Sequence, residues 1–156
     1  MKYKNLSAIL LIIICLFITG CGNNETKNAV TLDEFNNVAS NISLVVTDNT
    51  ETYKKSVDYI SEASIIVDED MSIEMIKYID TDYANKAQEN HIENFKTRRS
   101  TAASEIKDKG KNYYSYKLVS NGRYMFSIRV DETLLFGSVL LEDKELAEEL
   151  INDLGY

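Results

Sequence analysis

Residues 113–141 read YYSYKLVSNGRYMFSIRVDETLLFGSVLL. The Asn121-Gly122 pair separates two runs rich in aromatic and β-branched side chains, Tyr113 to Ser120 and Arg123 to Val130. Asn-Gly readily takes the positive φ angles of a type I′ turn, so these residues predict a hairpin. A third strand, Thr133 to Leu141, returns through a tight turn at Asp131-Glu132. With two-residue turns at both places, Tyr124, Phe126, Ile128 and Val130 share one face with Val119, Leu135 and Val139. Gly137 then opposes Phe126 and leaves room for its ring. This three-stranded meander is the expected centre of the core.

Working outward, Asp143 to Leu154 has Leu146, Leu150 and Leu154 at helical spacing, with Gly155 at the usual position beyond a helix end. Upstream of the meander, Ser100 to Gly110 is a polar stretch and is expected to be a connection. Asp80 to Arg98 carries a long helical pattern capped by Asp80 or Thr81, with Ala84, Ala87, His91 and Phe95 along one face. Before it lie two β-rich runs, Tyr59 to Val67 and Ser72 to Ile79, joined by Asp68-Glu69-Asp70. These predict a hairpin with an acidic tip. That tip lacks the glycine and the distal bidentate glutamate of a calcium loop, so it reads as solvated and no metal is expected. Further back, Thr31-Leu32-Asp33-Glu34 fits a capping box, followed by Phe35, Val38 and Ala39 in helical phase to about Ser40. Leu44 to Val46 is a short strand candidate, and Thr47 to Ser56 is turn-rich with room for a single helical turn. The order α-β-β-β-α-β-β-β-α predicts an α+β domain, an antiparallel sheet of about five strands packed with two to three helices.

The first twenty residues have a different character. Lys2 and Lys4 precede an apolar run from about Ala8 to Ile18, which ends in Ile18-Thr19-Gly20-Cys21. The run is about half of the roughly 20 apolar residues a spanning helix needs, so it suits a secretory signal. The ending resembles the bacterial lipobox, which implies that Cys21 receives a diacylglyceryl thioether and becomes the first residue of the mature chain. Residues 1–20 are then a signal peptide, 21–30 a polar, flexible tether, and 31–156 one domain. At about 0.8 kcal/mol per buried methylene, two or three acyl chains hold a protein on a membrane for long periods. The expected location is the outer face of the cytoplasmic membrane, lipid-anchored.

Composition narrows the chemistry further. Cys15 lies in the signal and Cys21 is the lipid site, so the mature chain has no disulfide. It carries 15 basic and 25 acidic residues, a net charge of −10 that argues against nucleic-acid binding. No thiol remains for nucleophilic catalysis, His91 is the one imidazole, and neither a G-x-S-x-G elbow nor a glycine-rich phosphate loop occurs. No catalytic residue and no cofactor are therefore expected. Paired carboxylates are too numerous to be informative, which leaves a carboxylate-dependent envelope enzyme as an alternative. A lone histidine on an apolar stripe reads as a packed residue.

The segments around Phe35, SEASIIVDEDMSIEMIKYIDTDYANKA (61–87), NYYSYKLVSNGRYMFSIRVDETLLFGSV (112–139) and the ending INDLGY (151–156) resemble small Gram-positive, clostridial-type lipoproteins. The shared features are a lipobox, a hairpin, a central helix, an Asn-Gly hairpin and a final helix ending in Gly-Tyr. This resemblance implies a cell-surface lipoprotein and supplies no catalytic residue.

Charge is unevenly spread. Between Lys96 and Arg129 nine basic residues stand against two acids, a segment of +7 in a mature chain that is otherwise −17. In the assumed register, Tyr114, Tyr116, Leu118, Met125 and Arg129 share the face opposite the core. Aromatic, Met and Arg enrichment marks binding surfaces. Tyr114, Tyr116, Met125, Arg123 and Arg129 therefore form the candidate docking face for a protein, a peptide or an anionic envelope ligand, unless a helix covers them. An immunity- or inhibitor-type lipoprotein that sequesters a peptide is a further alternative.

Overall fold

A computed structural model describes residues 24–156. The expected signal peptide at 1–20 and Cys21, the expected lipid site, lie outside the described residues. Among the described residues the chain forms α1 (Leu32–Asn41), β1 (Thr47–Asp48), α2 (Thr50–Lys54), β2 (Ile60–Asp68), β3 (Met71–Tyr78), α3 (Thr81–Thr97), β4 (Ser104–Lys109), β5 (Tyr113–Ser120), β6 (Arg123–Val130), β7 (Thr133–Leu140) and α4 (Lys144–Asp153). All strands belong to one antiparallel sheet of seven, in the order β1-β2-β3-β7-β6-β5-β4. This corrects the expected five strands, two to three helices and order α-β-β-β-α-β-β-β-α: the sheet has seven strands and four helices pack with it. α2 stands between β1 and β2, β4 follows α3, and the expected first strand at Leu44 to Val46 gives way to β1 just after it.

The difference has a local cause. β4 (SEIKDK) is an edge strand with both faces near water, so it lacks the apolar alternation that marks half-buried strands; Ile106 on it is 60% exposed. Its lysines and aspartate also discourage edge-to-edge pairing with another chain. β1 and α2 are too short, at two and five residues, to carry a periodicity.

The meander closes as its turn chemistry dictates. Asn121 and Gly122 adopt φ of 51° and 73°, the positive angles a type I′ turn demands. Val119 pairs with Tyr124, Phe126 with Gly137 and Ile128 with Leu135. A Cβ on Gly137 would lie 2.7 Å from Phe126 Cζ and 2.9 Å from the Ser72 carbonyl oxygen, so only glycine leaves that ring its place. Beyond the meander, β3 joins β7 and extends the sheet to the β2–β3 hairpin.

Each sheet face has its own cover. Phe126, Ile128, Leu135, Val139, Ile73 and Met75 point to the face occupied by α1 and α4, where Phe35, Ala39, Ala147, Leu150 and Ile151 complete the principal core. α1 is set by the predicted capping box: Thr31 Oγ1 accepts from Glu34 N, and the Glu34 carboxylate accepts from Thr31 N at 2.8 Å. At the C-terminus, the buried Tyr156 hydroxyl accepts from Val30 N and lies 2.9 Å from Thr133 Oγ1. On the other face, α3 lays Ile92 and Phe95 over Tyr116, Leu118 and Met125. Buried Gln88 fastens that helix, donating from Nε2 to the carbonyls of Tyr114 (2.8 Å) and Ser127 (3.1 Å).

The polar stretch ahead of α1 is tied to the body. Lys27 N donates to Asn112 Oδ1, Asn112 Nδ2 donates to the Lys27 carbonyl, and Lys111 N donates to the Glu25 carbonyl at 2.8 Å. Residues 25–30, read from the sequence as part of the tether, thus run along the domain.

Candidate functional site

The residues of the candidate docking face go to two kinds of place. Tyr116 and Met125 are fully buried beneath α3, and Tyr114 is half-buried beside it. The two arginines stand at opposite ends of β6. Arg123 donates from Nε to Ser138 Oγ (2.8 Å) and from Nη2 to the Asp70 carbonyl (2.5 Å), tying the β2–β3 tip to β7. Arg129 donates from Nη1 to the carbonyls of Asn112 and Asp131, both at 3.2 Å, at the other end of the sheet. Burial lowers the Arg129 pKa below the usual guanidinium value. The basic segment is also partly neutralised in place: Arg99 and Lys107 both pair with Glu105, and Lys96 pairs with Glu93. The meander's second face is therefore under a helix, and its five residues do not form one open patch.

That covering is incomplete, and the gap is the site. α2 packs on β2 at one edge of the sheet, where Thr50 Oγ1 accepts from Ala63 N and Asn49 N donates to the Ala63 carbonyl. α3 packs on β6, β7 and β3. Between the two helices a cleft of about 800 Å³ opens over β3. In β3, alternation sends Met71, Ile73 and Met75 to the principal core and turns Glu74, Ile76 and Tyr78 into the cleft. Phe136 of β7, Tyr53 of α2, Tyr59, and Tyr83 and His91 of α3 complete the walls.

The geometry is aromatic and ordered. The Tyr59 ring lies near-parallel to those of Tyr83 (4.8 Å between centroids, 6° between planes) and Tyr78 (6.4 Å, 13°). His91 stacks on Phe136 at 3.7 Å. Such offset packing is worth about 0.5–1.5 kcal/mol per pair beyond burial, enough to hold the walls in shape. Burial pushes the His91 imidazole down to about 4, so the ring is neutral at neutral pH. The sequence placed His91 on a packed stripe; the structure puts it at the wall of the cleft, stacked on Phe136.

The charged groups of the cleft are Glu74 and Lys86. Glu74 accepts a short hydrogen bond from the Tyr53 hydroxyl, and among the described residues no Lys, Arg or His pairs with it. Burial raises its carboxyl pKa above the usual range, with the Tyr53 hydrogen bond opposing that rise. The same burial and hydrogen bond hold the Tyr53 hydroxyl far above its ordinary value. Lys86 lies at the rim with its Nζ 5.6 Å from the Tyr83 centroid. Among the described residues no group of three or more His, Cys, Asp or Glu side chains is arranged to hold a metal, and no helix is long and apolar enough to cross a membrane.

Sequence reasoning missed this site. The signal it left was faint: four tyrosines from position 53 to position 83, and an acid, Glu74, flanked by Ile73, Met75 and Ile76 in a β-rich run.

No family model matches the chain, and no curated protein matches it. Among solved structures, it is similar to the extracellular domain of PknH from Mycobacterium tuberculosis, at 7% identity and a TM-score of 0.36, over 85% of this chain and 99% of that one. A likeness at that level carries no argument about the site.

Proposed function

We propose that this chain is a lipid-tethered binding module of the small Gram-positive, clostridial-type lipoprotein kind, held at the outer face of the cytoplasmic membrane. It captures a small ligand in the aromatic cleft between α2 and α3 and performs no chemistry on it. The observation that carries this reading is the cleft itself: a preformed concave space of about 800 Å³, walled by tyrosines and Phe136, with one carboxylate at its floor. Ligand sites are concave and mostly apolar, with a few convergent polar groups, and this cleft has that form. The tether rests on the lipobox ending at Cys21.

Support for a non-catalytic role comes from the same groups. Hydrolysis by acid and base needs two convergent titratable partners. Glu74 is the one carboxylate among the cleft's lining residues, and neutral His91 makes no hydrogen bond among the described residues. The tyrosine hydroxyl beside the acid has its pKa raised, which makes it a donor and a poor nucleophile.

Two measurements test the proposal. Mass spectrometry of the membrane-extracted protein should show a chain beginning at an acylated Cys21; an unacylated chain recovered from the medium refutes the tether. A screen of amino acids, sugars, ammonium compounds and aromatic acids against the isotope-labelled protein should find compounds that shift Tyr53, Tyr59, Tyr83 and His91 resonances together. Absence of any such shift at millimolar concentration refutes the cleft as a binding site.

A further inference from the structure

Resting on the binding-module reading, we propose that the cleft's occupant is a small organic cation, an alkylammonium group seated between Glu74 and the tyrosine row.

The first support is a charge without a counterpart. Glu74 is half-buried in an aromatic enclosure, and its hydrogen-bond partner is a neutral hydroxyl. Burying a carboxylate without a cation is costly, and a carboxyl held in that state is a common mark of a functional position. The second support is the wall. The rings of Tyr59, Tyr78 and Tyr83 lie near-parallel, with Tyr59 and Tyr83 stacked on each other, and Phe136, stacked on His91 by one face, adds a further ring. Aromatic faces carry negative potential, and rings gathered around a site are the usual receptor for alkylated ammonium groups, where hydrogen-bond donors have nothing to grip.

The third support is a stand-in already on the molecule. Lys86 Nζ lies within cation–π range of Tyr83, is exposed, and makes no ion pair among the described residues. The chain's own ammonium thus rests on the rim of the ring row, on a flexible stem that swings out when a ligand enters. Two alternatives fit less well. An anion would meet Glu74 at the floor with one rim lysine to offset it. A neutral ligand would leave the Glu74 charge unmatched.

The test uses the full lipoprotein in non-ionic detergent, with choline as the probe and its neutral isostere, carbon in place of the quaternary nitrogen, as the control. Tyrosine emission reads binding directly because the chain has no tryptophan. Choline should saturate the site at least about tenfold more tightly than the isostere. Glu74→Gln keeps an acceptor for Tyr53 and removes the buried charge, so it should weaken choline binding about tenfold or more while the urea midpoint stays level or rises. Lys86→Met, by removing the competing ammonium, should tighten choline binding. Equal affinity for choline and the isostere overturns the cation assignment and leaves the binding-module reading in place. So does a Glu74→Gln variant that binds choline as well as the parent, or a lack of saturable choline binding where the wider screen finds other ligands. An empty screen is the separate result that removes the module reading itself.

Discussion

Acidification tests the wall of the cleft, because His91 is buried against Phe136 with its imidazole held at about 4. In the unfolded chain the ring titrates near 6.5. A folded value below the unfolded one means that the unfolded state takes up the proton first. Stability is therefore full above about pH 6.5 and falls as pH drops toward 4. Each unit between the two values corresponds to about 1.4 kcal/mol, so the whole interval is worth ~3 kcal/mol. Between pH 7 and pH 5 the loss is about 2 kcal/mol, and roughly 1 once the solvent-reached edge of the ring is discounted. Glu74, with its raised value, works in the opposite direction as pH falls, so the parent protein alone understates the effect. The comparison that isolates His91 is parent minus His91→Phe, a variant that keeps a ring on Phe136 and lacks the titration. Urea unfolding followed by circular dichroism at the two pH values gives the difference. The parent should lose stability relative to the variant by the amount above. Because the chain has one histidine, its imidazole resonance is assigned without ambiguity and reports the midpoint directly. A pH-independent difference, or a histidine titrating near its ordinary value, would refute the reasoning.

Two further outcomes concern the frame of the site. Gly137→Ala drives a methyl into Phe126 Cζ and the Ser72 carbonyl at under 3 Å, and should lower stability by about 1–3 kcal/mol in urea unfolding; Phe126→Leu added to it should recover part of the loss and no more, since the Ser72 backbone cannot yield. Gln88→Leu removes the two donors that fasten α3 to Tyr114 and Ser127, and should cost about 1–3 kcal/mol with increased amide exchange concentrated in α3.

What could be read from the sequence was what depends on near neighbours. Asn121-Gly122 set the meander's register, and with it the division of Tyr124, Phe126 and Ile128 from Tyr116 and Met125, because a two-residue turn and period-two alternation act within a few positions. The Thr31–Glu34 capping box was legible for the same reason. β4 was not, since an edge strand wet on both sides needs no apolar code, and Ile106 stands exposed on it. The cleft was illegible for a different reason. Its residues come from α2, β3, α3 and β7, and whether a sheet face is bare or covered is decided by where α3 lands. Lys96, Arg99, Lys107 and Arg123 looked like a surface in search of a partner, and each has found a carboxylate within the chain.

The stitching of Glu25 and Lys27 to Lys111 and Asn112 bears on how the domain stands over a bilayer. If the acyl chains are on Cys21, four peptide units at full stretch reach no more than about 14 Å before the chain meets the body. The protein is then mounted nearly flush, and it cannot sweep the wall on a long leash. The same rim of the sheet carries Asp131, Glu132 and the end of β3 at Tyr78, through the Asp131–Asn112 and Tyr78–Glu132 backbone bonds. With the lipid on Cys21, that rim is the part of the domain nearest the headgroups, and Tyr78 is the one residue of the tyrosine row that lies on it.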